Sequence, residues 1–374
     1  MTRVPFLDLA GINGRFEREF IAAQSHVMRS GWFLHGDETR AFEDEFATWN
    51  GVRHCVGVAN GYDALRLTLR AWMSLGRLES GDEVVVPANS FIASALAVTD
   101  AGLGVRFADV EPRTHNVSVA SMAAAITPRT RVVMPVHLYG QLADIEHIRR
   151  LCLEQHLLLL EDAAQAHGAR LGSAAAGSFG DAGVFSFYPA KNLGALGDAG
   201  CVVTGDRGLA ERVRMLGNYG SAEKYEHAYR GVNSRIDELQ AAFLRIKLKR
   251  LDRDNSRRRE IALRYCAELA HPLVGTPVPP SEPSAHVWHL FVITTPHRDR
   301  LVRHLESSGI GTMIHYPRAI HRQTAYADVA TQAGSLPVVE RMQDEVLSLP
   351  ISPILSDDDV GRVVAAVNRW PRSM

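Results

Sequence analysis

Cysteine is scarce in this chain of 374 residues: Cys55, Cys152, Cys201 and Cys266 are the four, and they are scattered. Their spacing fits neither a metal knuckle nor a disulfide framework, so they read as buried thiols of a reducing cytoplasm. Net charge is nearly absent too, with 41 Lys and Arg against 42 Asp and Glu for a formal −1. No global field therefore draws the chain to nucleic acid or to an anionic membrane. Apolar runs such as FIASALAV are far too short to span a bilayer. The opening MTRVPFLDLAGINGRFEREF is interrupted by charges and lacks the apolar core of a secretory signal. Internal repeats and low-complexity tracts are missing. A composition of 46% apolar and 22% charged residues fits an ordinary soluble globular protein, long enough for one large domain and a smaller one.

From about residue 54, short apolar runs alternate with helical periodicity. HCVGVAN reads as a strand and GYDALRLTLRAWMSLG as an amphipathic helix with Leu65, Leu69 and Trp72 on one face. DEVVVPA, GVRFADV, RVVMPVHL, LLLLED, AGVFSF and GCVVTG read as further strands. Helices are expected from near Phe91, around SVASMAAAI and over IEHIRRLCLEQ. This alternation predicts an α/β fold whose mostly parallel sheet is covered on both faces. After Gly205, RIDELQAAFLRIKLKRLDRDNSRRREIALRYCAELA lacks Gly and Pro and predicts one long helix bridging two domains. The Pro-rich HPLVGTPVPPSEPS ends it. HVWHLFVITT, RDRLVRHLESSG, EVLSLPI and SDDDVGRVVAAVNRW then suggest a small α+β domain. The expected division is a large domain over 1–250 and a small one over 251–374.

The stretch FSFYPAKNLGALGDAG puts Lys191 between an aromatic-rich strand and a glycine-rich loop. It is either a surface lysine on a turn or an amine held in a pocket for covalent chemistry. Burying an amine is costly, so the surroundings decide. Ligands bind such sheets beyond the carboxyl ends of the strands, and suggestive residues fall there repeatedly. Gly61 stands where a strand turns into a helix, a place suited to phosphate, although glycine at such a turn is often purely steric. Glu161 and Asp162 close a very apolar strand, either as a polar cap or as a carboxylate for a cationic ring nitrogen. Phe91, at a helix opening, is either core or a ring laid flat on a planar ligand. Together these parts describe a pyridoxal 5′-phosphate site, which needs a lysine, an acid for the pyridinium nitrogen and a phosphate cradle. Desolvation and nearby positive charge would lower the lysine's pKa and make it nucleophilic near neutrality.

EDAAQAHGA, FSFYPAKNLGALGDAG and NSRIDELQAAFL, in that order, resemble the DegT/StrS family of nucleotide-sugar aminotransferases. The likeness runs from VPFLDL to IHYP, nearly the whole chain. It implies fold type I of the pyridoxal-phosphate enzymes (aspartate aminotransferase-like) and a homodimer with shared active sites. Under the resemblance, Lys191 is the Schiff-base lysine, Asp162 the partner of the pyridinium nitrogen, Gln165 the contact to the phenolic oxygen and Phe91 the stacking ring. Gly61, the backbone of Tyr62 and the Ser186 hydroxyl would hold the phosphate, with Asn233 reaching it from the other subunit. Many relatives carry threonine or serine where this chain has Tyr62, so backbone donors are left to do that work.

Many relatives acting on 4-keto sugars carry histidine at the Tyr188 position and a GEGG-like loop after the lysine. SGWFLHG, ANGYDAL, PVHLYGQ and GNYGS instead resemble the branch that aminates 3-keto-6-deoxyhexoses linked to a nucleoside diphosphate, usually dTDP. L-Glutamate is the implied amino donor. Tyr188, Tyr219, His315 and Tyr316 are the candidates for touching sugar, against ordinary packing for each. The alternatives are a 4-keto-sugar aminotransferase, a sugar dehydratase (whose family members have histidine in place of the lysine) and a non-catalytic regulator on the same fold. His286 and His289 in HVWH lack a third ligand for zinc, so no metal is expected. Arg257 to Arg259 read as a solvated helix face, and His167 as a structural partner in the pocket wall.

Overall fold

The computed structural model describes residues 3–330 and 334–371. Met1 and Thr2, at the head of the expected large domain, and the last three residues of the expected small one lie outside them. In chain order the strands are β1 (His54–Val58), β2 (Glu83–Pro87), β3 (Gly104–Ala108), β4 (Thr130–Val133) and β5 (Leu158–Asp162). Next come a short ribbon of β6 (Arg170–Leu171) and β7 (Ala174–Ala175), then β8 (Ala182–Ser186) and β9 (Gly200–Thr204). A second ribbon follows, β10 (Ser221–Glu223) with β11 (Glu226–His227), and finally β12 (Phe291–Thr294) and β13 (Val346–Leu349).

Seven strands form one sheet in the order β1-β9-β8-β5-β4-β2-β3. The pairs from β8 to β3 are parallel, while β9 runs against both of its neighbours. Six strands therefore leave the sheet at one edge, and β9 enters there. β2 and β9 are buried along their whole length, the mark of strands covered on both faces. The helix Gly61–Ser74 follows β1, and the Asn60 side chain caps it by accepting from the Asp63 N–H at 2.8 Å. Its predicted face of Leu65, Leu69 and Trp72 is buried, with Ala64, Leu67 and Ala71 beside it. The α/β architecture expected from the alternation is the one observed.

The expected long helix is two, Glu238–Leu248 and Leu251–Glu268. The break needs no Gly or Pro, because packing sets it. Leu248 and Leu251 both enter the core around Phe42, Phe46 and Phe185. Ile261, Ala262 and Tyr265 enter a different core, built with Val4, Phe291 and Trp370. The chain bends between the two. Within HVWHLFVITT, β12 begins only at Phe291, so HVWH precedes the strand. The Arg257–Arg259 face is solvated only in part. Arg258 is buried and donates to the carbonyls of Trp288, His289 and Ile351 at 3.1–3.5 Å. Burial lowers its pKa to about 10. No helix among the described residues is long and apolar enough to cross a membrane.

Candidate active site

The edge where β1, β2, β4, β5 and β8 end carries a cavity of about 480 Å³, a size suited to a small organic ligand. Its position follows from the strand directions, because each exiting strand delivers its next few residues to the same place. β1 delivers Asn60, Gly61 and Tyr62; β2 delivers Ser90 and Phe91; β5 delivers Asp162 and Gln165; β8 delivers Ser186, Tyr188 and Lys191. His315 and Tyr316 close it from the C-terminal part of the chain.

Asp162 forms the floor. It is buried, its Oδ2 accepts from the Ser94 hydroxyl at 2.8 Å, and its Oδ1 accepts from the Ala164 N–H at 3.1 Å. Burial raises its pKa, opposed by those two donors and by the charge of Lys191. Glu161, its neighbour on β5, faces the other way, as strand alternation requires. The Glu161 carboxylate accepts from His137 Nε2 and from the N–H groups of Gly177, Phe179 and Gly180 at 2.6–2.8 Å. Only the second acid of the pair reaches the cavity.

Lys191 lies in the cavity wall, and desolvation lowers its pKa to about 8 against the pull of Asp162. Gln165 is fixed in orientation. Its Oε1 accepts from the Tyr139 N–H at 2.7 Å, which turns its amide nitrogen to donate to the Tyr316 hydroxyl at 3.1 Å. Phe91 is exposed at the mouth, its ring centroid 5.8 Å from that of Tyr316. His315 Nδ1 pairs with the Ser348 hydroxyl at 2.8 Å, and its carbonyl accepts from the Tyr139 hydroxyl at 2.5 Å.

The helix Gly61–Ser74 opens onto the cavity, and the leading N–H groups of any helix have no acceptor within it. Gly61 is required there, since a Cβ would stand 2.6 Å from the Ser186 Cβ. The result is a cradle of backbone donors against the Ser186 hydroxyl. Tyr62 adds no hydroxyl, because its own is turned to Asp100, beside Arg66.

Ten of the twelve expected site residues thus line one cavity: Gly61, Tyr62, Phe91, Asp162, Gln165, Ser186, Tyr188, Lys191, His315 and Tyr316. Asn233 and Tyr219 do not. They lie together on a separate strip, joined by an Asn218–Asn233 bridge and by a 2.9 Å bond from the Tyr219 N–H to the Val232 carbonyl. Asn233 is exposed and Tyr219 half-exposed. His167 sits outside the cavity wall, buried against Phe185 and Phe187, and burial lowers its pKa to about 3. Asn60, Ser90, Ser94, Asp198 and His289 also line the cavity and were missed. Ser94 follows Ser90 by one helical turn and had a usable signal; His289 drew notice only as half of a metal pair. Among the described residues no cluster of three metal-ligating side chains occurs.

The chain is 47% identical to dTDP-3-amino-3,6-dideoxy-alpha-D-galactopyranose transaminase of Aneurinibacillus thermoaerophilus, covering 98% of this chain and 99% of the relative. It is 48% identical to dTDP-3-amino-3,4,6-trideoxy-alpha-D-glucose transaminase of Streptomyces venezuelae, over 98% and 96% of the two chains. Its structure superposes with a TM-score of 0.95, at 46% identity and 100% coverage of both chains, on S. venezuelae DesV in complex with a ketimine intermediate. The pattern of a single family matches residues 15–368, and with a sheet-edge lysine facing a buried acid the protein is an aminotransferase belonging to the DegT/DnrJ/EryC1/StrS aminotransferase family.

Proposed function

We propose that the protein transfers an amino group from L-glutamate to carbon 3 of a 3-keto-6-deoxyhexose linked to a nucleoside diphosphate, most simply dTDP. The observation that carries this reading is the convergence of Lys191, Asp162 and the Gly61–Ser186 cradle in one cavity. The residues fit pyridoxal 5′-phosphate: a buried acid that shares its cavity with Lys191 and feels that residue's charge, and a cradle that tolerates no Cβ at Gly61. Lys191 would hold the cofactor's aldehyde, Asp162 its ring nitrogen, Gln165 its phenolic oxygen and Phe91 its ring face. The N–H groups of Gly61 and Tyr62 and the Ser186 hydroxyl would hold its phosphate. When bound, the cofactor supplies a sink for the electron pair left as a proton departs.

The chain's own work is positioning and proton transfer. Lys191 Nζ takes the proton from the α-carbon of the amino donor in the first half-reaction. In the second it delivers a proton to the sugar carbon that receives the nitrogen. Asp162 keeps a positive charge opposite the reacting bond, and Gln165 with Tyr316 closes the site on the other side. Tyr188, Tyr219, His315 and Tyr316 are the proposed sugar contacts, Tyr219 coming from the second subunit together with Asn233. A homodimer is supported by the position of those two residues outside their own chain's cavity. Exposed Met28, Trp32 and Phe33 add an apolar surface of the kind that associates. The proposed division into domains at 250/251 is supported by the bend between Leu248 and Leu251. Four unpaired cysteines accord with work in the cytoplasm.

The test is a half-reaction spectrum. The protein is prepared in its pyridoxamine form and given dTDP-3-keto-6-deoxyhexose or the 4-keto isomer separately. The expected outcome is return of visible absorbance with the 3-keto sugar alone. Return with the 4-keto sugar alone would keep the transamination and overturn the sugar assignment.

A further inference from the structure

His289 lines the same cavity as Lys191 and His315, and nothing in the chemistry above uses it. Its orientation is set by a chain of hydrogen bonds whose every direction is forced. The His167 carbonyl can only accept, so the Asn255 amide nitrogen donates to it at 2.8 Å. Asn255 Oδ1 is therefore an acceptor, and it takes a hydrogen from the Asn192 amide nitrogen at 2.8 Å. That nitrogen gives its other hydrogen to the Val287 carbonyl at 3.0 Å, an independent constraint with the same answer. Asn192 Oδ1 must then face His289 Nδ1, 3.1 Å away, and the imidazole must be the donor.

With its proton on Nδ1, a neutral imidazole keeps a lone pair on Nε2. The ring does stay neutral: burial and the positive charges of Lys191 and Arg258 hold its pKa well below the ordinary value, with His315 and His167 acting in the same sense. His286, three residues earlier, plays no part. It stacks on Trp288 at 3.8 Å, and its Nδ1 accepts from the Trp288 N–H. Asn192 directly follows Lys191, so the catalytic lysine and the imidazole are held by one loop.

We propose that His289 is a specificity residue of this cavity, an imidazole locked with its proton on Nδ1 whose Nε2 accepts a hydrogen bond from an O–H or N–H group of the molecule bound beside Lys191. The inference rests on reading the cavity as the transaminase site. Two molecules offer such a donor, the ammonium group of the amino donor and a hydroxyl of the sugar, and they occupy the site in different half-reactions.

The test uses the cofactor-loaded full chain and the variant His289→Asn. An asparagine amide nitrogen stands where Nδ1 stood and can still donate to Asn192, but nothing replaces Nε2. Each half-reaction is followed separately in single turnover, and the tautomer of His289 is read from imidazole ¹⁵N shifts in the wild type. The expected result is an Nδ1–H tautomer and a loss of about tenfold, the scale of one hydrogen bond, in one half-reaction only. Loss with the amino acid assigns the bond to the ammonium; loss with the keto sugar assigns it to a hydroxyl. An Nε2–H tautomer, unchanged rates in both halves, or equal slowing of both with weakened cofactor binding would each overturn the proposal. If wild-type protein performs neither half-reaction, the functional reading fails, while the ¹⁵N spectrum still decides the tautomer.

Discussion

Lys191 and Asp162 respond to the same burial in opposite senses. Desolvation disfavours charge on either, lowering the amine to about 8 and raising the acid, and each charge partly restores the other. An amine near 8 is about one-tenth free base at neutral pH, far more than an ordinary lysine, which suits a nucleophile and proton carrier. Lys191→Ala is expected to reduce steady-state turnover to below about one ten-thousandth, with folding intact by circular dichroism. Asp162→Asn keeps the shape and the Ser94 contact but removes the charge, and should cost about a hundredfold or more in rate. A near-normal rate in either variant would sink the assignment of that residue. Both residues were legible in the sequence, because a lysine after a strand and an acid at the end of another are chemically conspicuous. His289 was not. Its meaning lies in the direction of three amide hydrogen bonds, and no spacing encodes direction.

At the scale of elements, β5 separates two acids that the sequence places side by side. Alternation along the strand sends Asp162 to the cavity and Glu161 into a shell of four donors. The sequence left open whether this pair was a polar cap or a carboxylate for a bound ring, and the strand turns only Asp162 to the cavity. Glu161→Ala would strand the buried His137 and three N–H groups, one buried and two partly buried, and should destabilise the protein by about 3–5 kcal/mol. Denaturant unfolding of that variant measures it, and a change under about 1 kcal/mol would refute the structural role. The helix bend after Leu248 was illegible for a related reason. Local propensity favours continuing the helix, and the competing demand comes from two cores distant in sequence. The strands were easier, since an apolar run buried on both faces has few other places to go.

Over the whole molecule, the strip bearing Tyr219 and Asn233 is the part of the expected site that one chain leaves aside. If it serves the partner's cavity, two defective chains can repair each other. Lys191→Ala and Asn233→Ala subunits, unfolded together and refolded as mixed dimers, should regain activity from the one cavity that has both residues. Activity no higher than the mean of the two parent homodimers would show that Asn233 works within its own chain or not at all. The shared site was readable only through resemblance, because a single sequence contains no marker for which residues cross to a neighbour.

The one reversed strand of the sheet governs the reach of the lysine. Because β9 returns against β8, the loop that carries Lys191 leaves and re-enters the sheet at the same edge, its two stems clasped by the Ser186–Gly200 pair. A parallel successor would have taken the chain across to the far side and left the lysine on a long crossover. The hairpin acts instead as a ruler of fixed length, with Gly200 so close to Asn60 that a Cβ there would sit 2.4 Å from its carbonyl carbon. Insertions between those two stems would lengthen the ruler and lift the amine off its mark, whereas insertions at the opposite edge of the sheet leave the measurement untouched.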